Sequence, residues 1–143
     1  MTKTVKFKPQ HLARLDEFVC GISVKENISK EKVAALASQD HVYSIIKDGK
    51  VLACVGATTF WPNRCEVWAV LSNTLGADFV EVNSEVKKLL KGLPFKRIEA
   101  VVDCDFEDGI RWVKALGFGL EAACMKSYGR TGKDCAMFSM VKL

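Results

Sequence analysis

Residues Gly109–Gly129 read GIRWVKALGFGLEAACMKSYG, and the hydrophobic period changes inside them. Phe106, Ile110 and Val113 recur at helical spacing, and Trp112 and Leu116 widen the same arc. From Leu120 the pattern reads as a strand. Leu116-Gly117-Phe118 is the joint between the two. Gly117 can take the left-handed position that ends a helix, since it has no Cβ to clash, and Phe118 can fold back on the helix end. On local physics alone this is an α-to-β turn with no chemistry attached.

Working outward, GRTGKD (129–134) is a polar hairpin loop between LEAACMKSY (120–128) and CAMFSMVKL (135–143), the two final strands. Upstream, Arg97–Asp103 is a strand, and Asp105 is placed to cap the next helix with Asp108 as a capping-box partner. Phe79, Val82, Val86, Leu89 and Leu90 define a long helix. Lys87, Lys88 and Lys91 complement its dipole, and Gly92 and Pro94 end it. Cys65–Leu71 (CEVWAVL) is apolar on both faces, as in a central strand. HVYSIIKDGKVLACVGATTF (41–60) is a hairpin around Asp48-Gly49, a pair suited to a type I′ turn. Gly56 suggests a bulge or a close backbone approach in its second strand. At the N-terminus TVKFK (4–8) is a short strand stopped by Pro9. Leu12, Leu15, Phe18 and Val19 line a helix over Gln10–Val19. Ser29 caps a second helix, with Glu31 in its first turn and Val33, Leu36 and Ala37 as its stripe. The order is β-α-α-β-β-β-α-β-α-β-β. It predicts an α/β fold with a mixed sheet covered by helices, in one domain over residues 1–143.

Bulk properties exclude several classes. Hydrophobic residues make up 49% and charged ones 27%, an ordinary globular mix. A net charge of +4, spread along the chain, argues against a nucleic-acid binder. No apolar run reaches membrane-spanning length, and MTKTVKFKPQ (1–10) has no signal-peptide core. The six cysteines (Cys20, Cys54, Cys65, Cys104, Cys124, Cys135) show no CxxC spacing and the chain has only two histidines, so no structural zinc site is expected. These features predict a soluble cytoplasmic protein with reduced thiols. His11 and His41 read as surface residues. Trp61, Trp68 and Trp112 read as core or cleft walls.

The element order resembles the GNAT superfamily of N-acetyltransferases. Arg97–Asp134 (RIEAVVDCDFEDGIRWVKALGFGLEAACMKSYGRTGKD), with the strand end Trp68–Ser72, looks like GNAT-like proteins encoded by tailed bacteriophages and prophages. The resemblance covers Val51–Leu143. The N-terminal third fits by element order alone. It implies acetyl-coenzyme A as cofactor, an unidentified amine as acceptor, no membrane partner, and room for a homodimer. The setting would be a host cytoplasm or a virion.

The resemblance also assigns residues. The pantetheine arm would bond main-chain groups near Val70 and Leu71. The pyrophosphate would meet Ser72–Ala77 at the following helix start, a general anion site. Of the family's loop pattern, Gly76 and Ala77 are present. No Arg or Gln precedes them, and Asp78 adds a negative charge. The same segment reads equally as a helix entry with a Ser or Asn cap. In the last helix Phe106 stands at the usual Asn position and Gly109 at the Ala position. Val113 stands at the position of the Tyr that protonates the leaving thiolate. Gly109 makes room either for a cofactor or for a neighbouring strand. Arg111 serves the cofactor or pairs with Asp108 or Glu107. Glu66 is the carboxylate on the fourth strand of the family pattern, a general base or a solvated residue. Tyr128 is the substitute acid. Two functions follow: an acyl-coenzyme A-dependent N-acyltransferase, or a catalytically degenerate GNAT-fold protein acting as a virion component or a host-protein-binding module.

Overall fold

The computed structural model describes all of the 143 residues except 16–17, 20–29, 73 and 130. The expected Ser29 cap and Cys20 therefore lie outside the described residues. In chain order the elements are β1 Thr2–Lys6, α1 Pro9–Ala13, β2 Phe18–Val19, α2 Lys30–Ala37, β3 Val42–Lys47, β4 Lys50–Trp61 and β5 Arg64–Ser72. A 3₁₀ turn Gly76–Asp78, α3 Phe79–Gly92, β6 Arg97–Asp103, α4 Glu107–Ala115, β7 Gly119–Met125 and β8 Cys135–Val141 complete them. The strands form one mixed sheet in the order β1-β3-β4-β5-β6-β8-β7, and β2 pairs with β5 off this path.

By backbone contacts the chain divides into two compact units, Met1–Ala57 with Ala69–Leu93, and Thr58–Trp68 with Pro94–Leu143. In the first, β1 and β4 flank β3 in antiparallel register. Asp48 (φ 49°) and Gly49 (φ 80°) make the type I′ turn that the Asp-Gly pair predicts. The register slips where Ile45 faces Ala53 and Ile46 faces Val51. The irregularity thus falls at Leu52, and Gly56 keeps a regular partner in Val42. Ile45, Leu52, Ala53, Val55, Leu75 and Val82 form the core of this unit, with Phe79, Val86 and Leu89 of α3 packed on it.

The helix expected over Gln10–Val19 is shorter. It stops at Ala13, and Phe18 and Val19 pair as β2 with Ser72 and Leu71. His11 is a second correction. It is buried, its Nδ1 accepting the Lys8 N–H at 3.2 Å and meeting the Ser44 hydroxyl at 2.8 Å. Ser44 Oγ also lies 3.7 Å from Cys54 Sγ. A ring nitrogen that already accepts a backbone N–H has no room for a proton of its own. Burial, with Arg14 and Lys8 nearby, holds the His11 pKa below its ordinary value.

In the second unit β5 runs parallel to β6 from Arg64↔Arg97 to Val67↔Ala100, and β8 lies antiparallel between β6 and β7. Ile98, Ala100, Val102, Val113, Phe118 and Phe138 are buried there. The N-cap of α4 is Phe106, with no side-chain cap bond, in place of the expected Asp105. A turn bond from Phe106 N–H to the Asp103 carbonyl (3.0 Å) sets the helix start one residue later. The C-terminus of α4 is a Schellman motif. Gly117 N–H donates to the Lys114 carbonyl (3.0 Å) and Phe118 N–H to the Val113 carbonyl (3.1 Å). Gly117 has φ 104°, and Phe118 is buried against the helix end.

Two outcomes are expected. Gly117→Ala loses about 1–2 kcal/mol to backbone strain, because a Cβ there meets only Met140 Cε at an ordinary 3.6 Å. Gly92→Ala, with open space around it, gains roughly 0.4–1 kcal/mol, and urea unfolding of both variants checks the opposite signs. For His11 the folded state favours the neutral ring, so its contribution is complete above the unfolded pKa near 6.5 and is lost as pH falls from there through the lowered folded value. Urea midpoints of the native chain and His11→Gln between pH 7.5 and 5.5 should show the native chain losing more.

Candidate functional site

The first unit holds the residues assigned to the cofactor's pantetheine arm and phosphate end. Val70 is fully buried and Leu71 packs on the core. Ser72 is 4% exposed, and its hydroxyl accepts the Thr74 N–H (3.3 Å) and bonds the Thr74 hydroxyl (2.9 Å). Ser72 thus shapes the helix entry. Gly76 takes φ 50° with nothing within 4 Å of where a Cβ would sit, so its face is open. Ala77 follows in the 3₁₀ turn that leads into α3. The Asp78 charge does not stand alone. Lys47 of β3 bonds Asp78 Oδ1 at 2.9 Å and Glu81 Oε2 at 2.7 Å. These bonds, first to Glu81 and then to Asp78, raise the Lys47 pKa. Lys50, at the head of β4, reaches Thr74 Oγ1 at 3.3 Å. Two cations from the β3–β4 hairpin therefore stand beside a loop that contains none.

The second unit holds Glu66, Phe106, Gly109, Arg111 and Tyr128. On β5 the side chains of Arg64 and Glu66 share a face, and their parallel register partners on β6 are Arg97 and Glu99. Glu99 is 2% exposed. Arg64 grips it with Nε at 2.6 Å and an NH₂ at 2.9 Å, and Arg97 Nε adds a third bond at 2.6 Å. Arg97 also binds Glu121 of β7 at 2.6 Å. The Arg64 bond, then that of Arg97, keeps the Glu99 pKa low against its own burial. Glu66 stands directly across from this carboxylate. Burial, then the Glu99 charge, raises the Glu66 pKa. A partly buried carboxyl with a raised pKa is suited to proton transfer near neutral pH.

On α4 the question posed by Gly109 has an answer. A Cβ there would lie 2.5 Å from Phe106 Cδ2, 2.7 Å from Phe106 Cε2 and 3.0 Å from Val102 Cγ1. The space is filled by the ring at the Asn position and by β6. Arg111 pairs with Asp108 one turn back, both well exposed. Val113, at the Tyr position, is buried and carries no proton. Tyr128 is 53% exposed, just past Ser127, whose φ is 52°.

The sequence reading missed Lys47, Lys50 and the Glu99 cluster. Arg97-Ile-Glu99 does carry a local signal, two opposite charges two residues apart on one strand face. Of the two readings of Trp61, core or cleft wall, the core one is excluded. Trp61 is 53% exposed, with the Arg64 guanidinium 4.9 Å from its ring and 4.4 Å from that of Phe60. With Asn63, Lys96 and Val141 it lines a shallow depression of about 260 Å³. Among the described residues no group of three or more His, Cys, Asp or Glu could hold a metal ion, and no helix is long and apolar enough to cross a membrane.

No family model and no curated protein matches the chain. Solved structures do. Ard1 from Thermoplasma volcanium superposes with a TM-score of 0.79 at 13% identity, over 99% of this chain and 98% of the other. An N-acetyltransferase from Staphylococcus aureus gives 0.79 at 10% identity, over 99% and 97%. The ribosomal-protein α-N-acetyltransferase RimL, in complex with coenzyme A, gives 0.71 at 12%, over 98% and 93%. The fold is thus that of GNAT acetyltransferases, the architecture that the element order predicts.

The Phe106–Gly109 contact yields a double-mutant cycle. Gly109→Ala should destabilise by about 1–2 kcal/mol, overpacking outweighing the helix-propensity gain. In a Phe106→Ala background the same change should become neutral or stabilising. Denaturant unfolding of the four proteins measures the coupling.

Proposed function

We propose that this chain is an acyl-coenzyme A-dependent N-acyltransferase that transfers an acetyl group to an amine. The observation that carries the reading is the end-to-end likeness to acetyltransferase structures, with TM-scores up to 0.79 over nearly the whole of both chains. The donor chemistry of the Ser72–Asp78 segment fits an anionic cofactor end. Gly76 leaves the backbone open, a 14-residue helix starts behind it, and Lys47 and Lys50 lie alongside. Those groups would hold the phosphates, with main-chain groups near Val70 and Leu71 on the arm. The bound cofactor supplies an acyl thioester. Glu66 takes the proton that an ammonium acceptor must lose before it can attack, and its raised pKa suits that task. Tyr128 is the candidate donor of the returning proton. The resemblance of Arg97–Asp134 to phage-encoded proteins supports a phage or prophage setting.

The second reading is a non-catalytic GNAT-fold protein that binds another protein. Three observations favour it: the buried Val113, the Phe106 ring over Gly109, and the pairing of Leu71 and Ser72 with β2.

Thermal titration with acetyl-coenzyme A tests the two. At about 100 times its dissociation constant a ligand stabilises by roughly 2.7 kcal/mol, a midpoint rise on the order of 6–10 °C for a chain of this length. The rise should shrink in Gly76→Asp and Lys50→Ala. No shift at millimolar ligand favours the binding protein.

A further inference from the structure

We infer that Cys104 and Cys124 form an oxidation site, a thiol pair that closes to an intramolecular disulfide when a peroxide reaches it. The inference stands apart from acyl transfer. Cys104 follows the last residue of β6, and Cys124 lies near the end of β7. The two strands are separated by β8, yet the thiols converge over its first residues. The Cys104 thiol donates to the Ala123 carbonyl at 3.5 Å, and that carbonyl carbon is bonded to the Cys124 nitrogen. Cys104 N–H donates to the Asp134 carbonyl at 2.9 Å, and the Cys124 thiol donates to Asp134 Oδ2 at 3.7 Å. Both cysteines are thus held on Asp134, and the Cys104 thiol reaches the residue next to Cys124. The pair has unequal exposure. Cys124 is exposed and Cys104 half-buried, whereas the third cysteine nearby, Cys135, is 2% exposed and donates to Asp103 and the Lys133 carbonyl. The Lys126 ammonium pairs at 3.4 Å with the same Asp134 oxygen that the Cys124 thiol meets.

That asymmetry assigns the roles. The exposed Cys124 sulfur attacks hydrogen peroxide. An S–O bond forms, the O–O bond breaks, and the departing oxygen leaves as water with the thiol proton. The Cys104 sulfur then attacks the sulfenic acid. An S–S bond forms, the S–O bond breaks, and hydroxide leaves as a second water with the Cys104 proton. Two thiols and one peroxide give one disulfide and two waters. The sulfurs are oxidised and the peroxide oxygens reduced. The closed loop of about twenty residues contains all of α4 and its Gly117-Phe118 stop, so the bond ties both ends of that helix.

The test uses the whole chain, reduced and then treated with hydrogen peroxide. The free-thiol count should fall from six to four. Tryptic mapping should find one linked peptide pair, Cys104 to Cys124, two hydrogens lighter than the separate peptides. The melting midpoint should rise by several degrees and return with reductant. Cys104→Ser and Cys124→Ser should each abolish the linked pair and the rise, and their reduced midpoints show that they fold. A linkage to Cys135 or Cys20, an interchain dimer, or a Cys124 sulfinic acid with Cys104 still reduced would overturn the inference. So would a thiol count that stays at six.

Discussion

The second unit depends on one buried carboxylate. Pairing between β5 and β6 is parallel and spans four register pairs, a short contact. Glu99 sits in the middle of it, facing Glu66, at a desolvation cost of several kcal/mol. Three charge-assisted bonds from Arg64 and Arg97 offset that cost. The gain lies in register more than in net stability. A slip of one residue would turn Glu99 onto the face of Ile98 and Ala100, which is apolar and carries no arginine. The same guanidinium of Arg97 binds Glu121 on β7, so a single charge set fixes strands that are not neighbours.

Much of this architecture was legible because it rests on short-range rules. Asp48-Gly49 dictates its turn, and Gly117 dictates the end of α4. A hydrophobic stripe three to four residues apart dictates α3. What stayed hidden was set by partners far along the chain. Leu12, Leu15, Phe18 and Val19 have helical spacing, but an aromatic followed by a β-branched residue suits a strand equally, and β5 supplies the pairing. His11 reads as a surface residue because its buried side-chain partner, Ser44, is 33 positions away. Glu99 finds Arg64 across 35 positions. No local window holds either pair.

The candidate site divides the same way. Gly76 and the helix that follows could be read directly from the sequence. The charge of Asp78 could be read too, but its meaning could not. In isolation it opposes a phosphate. Beside Lys47 it becomes one part of a paired set whose lysine comes from β3. Gly109 shows the reverse. A glycine inside a helix signals a close approach, and the sequence names neither partner. The Phe106 ring and Val102 take the space, so that glycine is explained by packing within α4 and β6.

The pairing of β2 with β5 bears on both readings of function. Beyond Val67 the partner of β5 is no longer β6, and at Leu71 and Ser72 it is β2. Main-chain groups that a pantetheine arm would use are thus engaged by β2. The engagement is two residues long. Each backbone hydrogen bond contributes a net of about 0.5–1.5 kcal/mol, so exchanging this pairing for a ligand costs little. A cofactor whose dissociation constant lies well below its working concentration contributes more than that through mass action. For the proposed cofactor, the β2 contact would therefore lower apparent affinity by a modest factor without closing the site. The buried Val113 is the weightier objection to catalysis, because no rearrangement of the backbone gives a valine a proton to donate.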